Sequence, residues 1–93
     1  MKRISKLREA KQGDCILFEE IERPDVKWVG VVAKKDDTNI TLDWMINIIH
    51  EEITYYNQKG TLILLTVWDE DTDWKLNKLT KQEYNKILMV SAI

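Results

Sequence analysis

Residues 26–48 read VKWVGVVAKKDDTNITLDWMINI, and this stretch decides the fold. Two β-rich runs flank the polar hexapeptide Lys34–Asn39, which predicts a hairpin loop. In the first run, Val26 to Ala33, Trp28 and Val32 fall on one face and Val29 and Val31 on the other. Gly30 lies inside it, a signal for a bulge or a sharp bend. In the second run, Ile40, Leu42, Trp44, Ile46 and Ile48 alternate with Thr41, Asp43, Met45 and Asn47, the period of a half-buried strand. Leu42, Met45, Ile46, Ile49 and Ile53 also stand at helical spacing, with Asp43 placed to cap. The β-branched start of the run favours a strand through Ile48 over a helix across 44–53.

The pattern extends in both directions. Upstream, Gly13-Asp14 signals a turn before the apolar run Cys15-Ile16-Leu17-Phe18, and Arg23-Pro24-Asp25 breaks that element. Downstream, Ile53-Thr54-Tyr55-Tyr56 reads as a strand ended by a turn at Asn57-Gln58-Lys59-Gly60. Thr61 to Trp68, apolar on both faces, reads as a central strand, and Trp74-Lys75-Leu76 as a short one. Thr80-Lys81-Gln82-Glu83 is a capping box with Leu79 and Tyr84 at the staple positions. Tyr84, Ile87 and Leu88 form the inner stripe of the helix that follows, over about 80–89. The expected architecture is mainly β, with a minor α+β contribution. It is a small barrel or rolled antiparallel sheet of five to six strands with a C-terminal helix. Ile, Val and Thr supply 24 of the 93 residues, in keeping with that class.

Gly13-Asp14-Cys15-Ile16-Leu17-Phe18, then Trp28-Val29-Gly30-Val31-Val32, a polar loop and Ile40-Thr41-Leu42, resemble the opening of an SH3-like small β-barrel. Tudor-type and KOW-type modules belong to that broad class. The resemblance covers residues 10–45 and implies a binding module for peptides or nucleic acid. It assigns no functional residue.

A chain of 93 residues is expected to form one domain, 1–93. With 44% apolar and 32% charged residues it has the composition of an ordinary soluble globular protein. The single cysteine allows no internal disulfide, and one Cys with one His makes no structural zinc site. No membrane span is expected, and the lone thiol fits a cytoplasmic setting. Residues coded by AT-rich triplets (Phe, Tyr, Met, Ile, Asn, Lys) total 34 against 10 for Gly, Ala, Arg and Pro, pointing to a low-GC bacterium or its phage.

The net charge of −2 conceals a segmented distribution. Residues 1–12 carry +4, 13–26 carry −4, 51–73 carry −5 and 74–93 carry +3. If the termini meet, a basic patch arises on an acidic protein.

Catalytic and cofactor signatures are missing. Cys15 opens an apolar strand, where a thiol behaves as a small hydrophobe, so no Cys15/His50 pair is expected. His50-Glu51-Glu52 lacks the second histidine of a zincin, and His50 reads as a turn or strand-end residue. Asp69, Asp71 and Asp73 alternate as EF-hand ligands do, but Trp74 stands where the loop requires glycine. Three scattered glycines make no phosphate cradle. No enzyme, no cofactor and no resident metal are therefore expected.

Four tryptophans remain to be explained. Trp28 and Trp44 are assigned to the core. Trp68 and Trp74 frame an acidic loop, and with Asp69, Glu70, Asp71 and Asp73 they form the candidate surface for a protein partner. The alternative is nucleic-acid binding through the basic ends: Lys2, Arg3, Lys6, Arg8, Lys75, Lys78 and Lys81, with Lys11 and Lys86. A second copy of the chain could cover an unpaired strand edge as a homodimer.

Overall fold

A computed structural model describes residues 1–69 and 73–91, with Asn57, Asp69 and residues 88–91 described in backbone only. The strands are β1 (Lys2–Ile4), β2 (Cys15–Glu20), β3 (Val26–Lys35), β4 (Asn39–Ile49), β5 (Glu52–Leu64) and β6 (Trp74–Leu79). Among the described residues a 3-10 turn spans Leu7–Glu9, with two helices, α1 (Leu65–Asp69) and α2 (Lys81–Ser91). The strands form one antiparallel sheet in the order β1-β6-β2-β3-β4-β5. Among the described residues nothing pairs β5 with β1, so the sheet is open and not a closed barrel.

Both faces of the sheet carry apolar side chains because each is covered. On one face Ile16, Phe18, Val32, Ile40, Leu42 and Leu76 join Leu7 of the 3-10 turn and Leu65 of α1. On the other, Leu17, Val29, Ile46 and Leu79 lie under Tyr84 and Ile87 of α2.

The capping box is present as read. The Thr80 hydroxyl accepts from the Glu83 amide at 3.1 Å, and the Glu83 carboxylate accepts from the Thr80 amide at 3.0 Å. The helix runs through Ser91, slightly beyond the expected end, and Leu88 lies among the residues described in backbone only.

Segment 39–49 is a strand, but it is not simply alternating. Opposite Gly30 and Val29 of β3 stand Trp44 and Ile46 of β4, which leaves Met45 as an extra residue in a bulge. The bulge changes the facing. Ile40, Leu42 and Trp44 point to the Phe18 side, whereas Ile46 and Ile48 point to the α2 side.

The second hairpin is also shifted. Asn57–Gly60 is no turn, since β5 runs through it. The chain reverses at His50-Glu51, between paired Ile49 and Glu52, with φ of 50° and 70°. His50 Nδ1 lies 2.5 Å from Asp25 Oδ2, which anchors the turn to the loop before β3. Gly60 spends its positive φ of 77° on an irregularity in β5, where its amide donates to Asp43 Oδ1 at 3.0 Å. The segment read as a central strand, Thr61 to Trp68, divides instead: Leu64 ends the edge strand β5 and Leu65 starts α1. Its apolar excess is partly exposed, with Leu62 at 65%, Leu64 at 55% and Val67 at 61%.

Candidate functional site

The order β6-β2-β3-β4-β5 places Trp74, Phe18, Trp28, Trp44 and Gln58, one from each strand, on one face at one end of the sheet. Register explains the alignment. Phe18 pairs with Trp28, Glu20 with Trp74, Gly30 with Trp44, and Trp44 with Gln58. Trp68 reaches the same place from α1, and the six side chains line an open cleft of about 290 Å³.

Phe18 is the floor, 1% exposed. Its ring meets Trp44, Trp68 and Trp74 edge-on, with centroids at 5.1, 5.5 and 6.5 Å. The walls are two tryptophan pairs, Trp28–Trp44 at 5.7 Å and Trp68–Trp74 at 5.9 Å. Tyr56 extends the first wall, 5.4 Å from Trp28. The contacts at Phe18 and in the Trp28–Trp44 pair are edge-to-face and satisfy the ring quadrupoles, while the Trp68–Trp74 and Trp28–Tyr56 pairs are tilted by 39° and 42°.

Gly30 makes the site geometrically feasible. A Cβ there would lie 3.1 and 3.3 Å from two carbons of the Trp44 ring, so the indole occupies the space a side chain would take. The bulge expected at Gly30 falls instead on the partner strand, at Met45, and Gly30 is the seat of Trp44.

The residues expected to meet a partner are placed as follows. Trp68 and Trp74 are half-buried, touch each other and line the cleft. Asp73 is exposed, and its carbonyl accepts the Ile21 amide at 2.9 Å. Asp69 closes α1, while Glu70 and Asp71 lie outside the described residues. Trp28 and Trp44, assigned to the core, are half-buried: they pack against the Phe18-side cluster and line the cleft.

Parity sorts the charges. Glu20 shares the face of Phe18 and Trp74, while Lys27 and Lys75, each opposite Glu19, lie on the other face. Among the described residues no lysine or arginine lines the cleft. Glu20 is held by Arg23 through contacts of 2.8 to 3.1 Å.

The basic ends do meet, through the pairing of β1 with β6, which sets Lys2 opposite Lys78. Lys2, Arg3, Lys11 and Lys78 line a second groove of about 510 Å³ together with Glu9. Lys78 is already paired with Asp14 at 3.1 Å. Burial works against the Asp14 charge, but the Lys11 amide and the Lys78 ammonium prevail and lower its pKa. Lys6 precedes the 3-10 turn, Arg8 within it donates to the Asp37 carbonyl at 2.9 Å, and Lys81 opens α2. Lys75 and Lys86 lie away from the groove.

Burial pushes the Cys15 thiol up to about 11, which keeps it protonated at neutral pH. Among the described residues no group of three His, Cys, Asp or Glu side chains is placed to hold a metal ion, and no helix is long and apolar enough to cross a membrane. No protein-family model, curated protein or solved structure matches the chain.

Proposed function

We propose that the protein is a small non-enzymatic binding module that captures a protein partner in the tryptophan-lined cleft. Convergence of Phe18, four tryptophans and Gln58 from five strands and α1 carries the reading. Solvent-accessible tryptophan faces over a rigid floor are what interface hot spots are made of. The volume of about 290 Å³ sits at the lower limit for ligand pockets, so it suits one inserted side chain better than a cofactor. A regulatory role in a low-GC bacterium or phage, in the cytoplasm, suits such a module. Replacing Trp68, Trp74 and Asp69–Asp73 together by alanine abolishes partner capture on this reading. A folded variant that captures the partner undiminished contradicts it.

The groove lined by Lys2, Arg3, Lys11 and Lys78 supports a second reading, nucleic-acid binding. It requires retention on DNA or RNA at low salt that weakens steeply as salt rises. Glu9 in the groove and the Lys78–Asp14 pair place it second.

A further inference from the structure

Resting on the protein-capture reading, we infer that the cleft takes the cationic head of a basic side chain, a lysine or arginine of the partner protein. Three observations lead there. First, the lining is aromatic apart from Gln58, and an indole face is the strongest of the side-chain π-surfaces for holding a cation. The half-buried Trp28, Trp44, Trp68 and Trp74 surround the opening, so a cation entering it meets several rings at once.

Second, among the described residues no basic side chain lines the cleft. Strand parity sends Lys27 and Lys75 to the opposite face and leaves Glu20 on the tryptophan face. A cation entering the cleft meets no competing lysine or arginine among the lining residues, and the ring faces offer nothing to a phosphate or carboxylate. Arg23 and Glu20 neutralise one another, and both lie outside the lining.

Third, the size is right for one head group. An opening of about 290 Å³ accommodates an ammonium or guanidinium on its aliphatic stem, which the apolar floor at Phe18 and Trp44 also favours. A neutral apolar side chain would gain the same burial but none of the attraction from the ring quadrupoles.

The probe is choline, compared with 3,3-dimethyl-1-butanol, which replaces the quaternary nitrogen by carbon at nearly constant shape. All four tryptophans of the chain line the site, so intrinsic fluorescence reports occupancy directly. Titration into the intact protein, with ionic strength held by sodium chloride, is expected to show choline binding in the millimolar range, about tenfold tighter than the alcohol. Gln58 is exposed, so its replacement leaves the core intact. Gln58→Glu is expected to tighten choline about threefold and Gln58→Lys to weaken it by as much, with the alcohol unmoved. The partner arm uses a lysine-containing capped peptide against its norleucine counterpart, with the same preference for the charged form.

Equal binding of choline and the alcohol, or no response to choline, overturns the inference. Partner capture that is lost on replacing Trp68 and Trp74 would in that case still stand, with the cleft acting as a neutral apolar socket. Loss of both results would remove the protein-capture reading as well.

Discussion

Phe18→Ala tests whether the cleft is a rigid, prebuilt feature. Phe18 is 1% exposed and backs three tryptophans. Truncating a buried phenylalanine costs about 3–5 kcal/mol, and the value within that range depends on how far the site collapses. Here the cleft lies directly above, so the indoles can sink into the void, which favours the lower limit. Three edge-to-face contacts are lost together, each worth about 0.5–1.5 kcal/mol, which favours the upper one. The two tendencies place the loss at about 4 kcal/mol. A domain of this size has a total stability of roughly 5–14 kcal/mol, so the variant is strongly destabilised. At about 4–8 °C per kcal/mol, the melting temperature falls by about 20 °C. Phe18→Leu keeps most of the volume and is expected to lose about 1.5 kcal/mol. Urea unfolding followed by circular dichroism measures both, and near-ultraviolet dichroism reports the packing of the tryptophans. A loss for Phe18→Ala no larger than that of a surface substitution, about 0.5 kcal/mol, refutes the reasoning.

Other perturbations test separate links. Gly30→Val introduces a branched side chain where the Trp44 ring already lies 3.1 Å from a Cβ, so Trp44 must leave its seat. The expected cost is about 1–3 kcal/mol, with a changed tryptophan emission spectrum, and an unchanged spectrum contradicts the assignment. Thr80→Ala removes the acceptor for the Glu83 amide and should cost about 1 kcal/mol in urea unfolding, while Thr80→Ser restores most of it. The Met1 amino group beside Glu83, aided by the Thr80 amide, lowers the Glu83 pKa from the ordinary 4.5 to about 2. A group whose folded pKa is depressed contributes stability above its unfolded pKa and loses it as pH falls through the folded one. Stability should therefore drop between about pH 4.5 and 2, less steeply in Glu83→Gln, and an NMR titration midpoint for Glu83 near 4.5 contradicts this. Cys15, pushed up to about 11 by burial, should react with iodoacetamide at neutral pH far more slowly in the folded than in the urea-unfolded protein.

What sequence reading recovered, and what it missed, divides along the range of the interactions. The capping box at Thr80 and Glu83 was legible because all its partners lie within four residues. The β3–β4 hairpin was legible because Asp36, whose carboxylate accepts the Thr38 and Asn39 amides, sits in a polar loop between β-rich runs. Period-2 reading failed at Met45 because a bulge adds one residue and reverses facing, and a bulge on β4 depends on its partner strand. The second hairpin was misplaced because Gly60 marks a positive φ without saying whether a turn or a bulge uses it. His50 and Glu51 turn the chain with non-glycine residues at positive φ, at a cost of order 1–2 kcal/mol each that surrounding pairing must offset. Lys2–Ile4 and the turn at Leu7–Glu9 carry no strand or core signal of their own; β6 and α1 give them their structure.

The site was half legible. Trp68 and Trp74 stood out by their acidic setting, but Phe18, Trp28, Trp44 and Gln58 join them only through the register of five strands. One signal pointed that way: Trp28 and Gly30 share a face, and a glycine beside an aromatic on a strand leaves room for a second ring.

The most direct test of the central claim, that the cleft is the binding surface, is fluorine NMR of the protein labelled with 5-fluorotryptophan. Each of the four tryptophans gives one resonance, assigned by single replacement. Addition of the captured partner is predicted to shift the Trp28, Trp44, Trp68 and Trp74 resonances together, and choline to compete the shifts away. Binding that leaves the four resonances in place would put the partner elsewhere on the molecule and contradict the account.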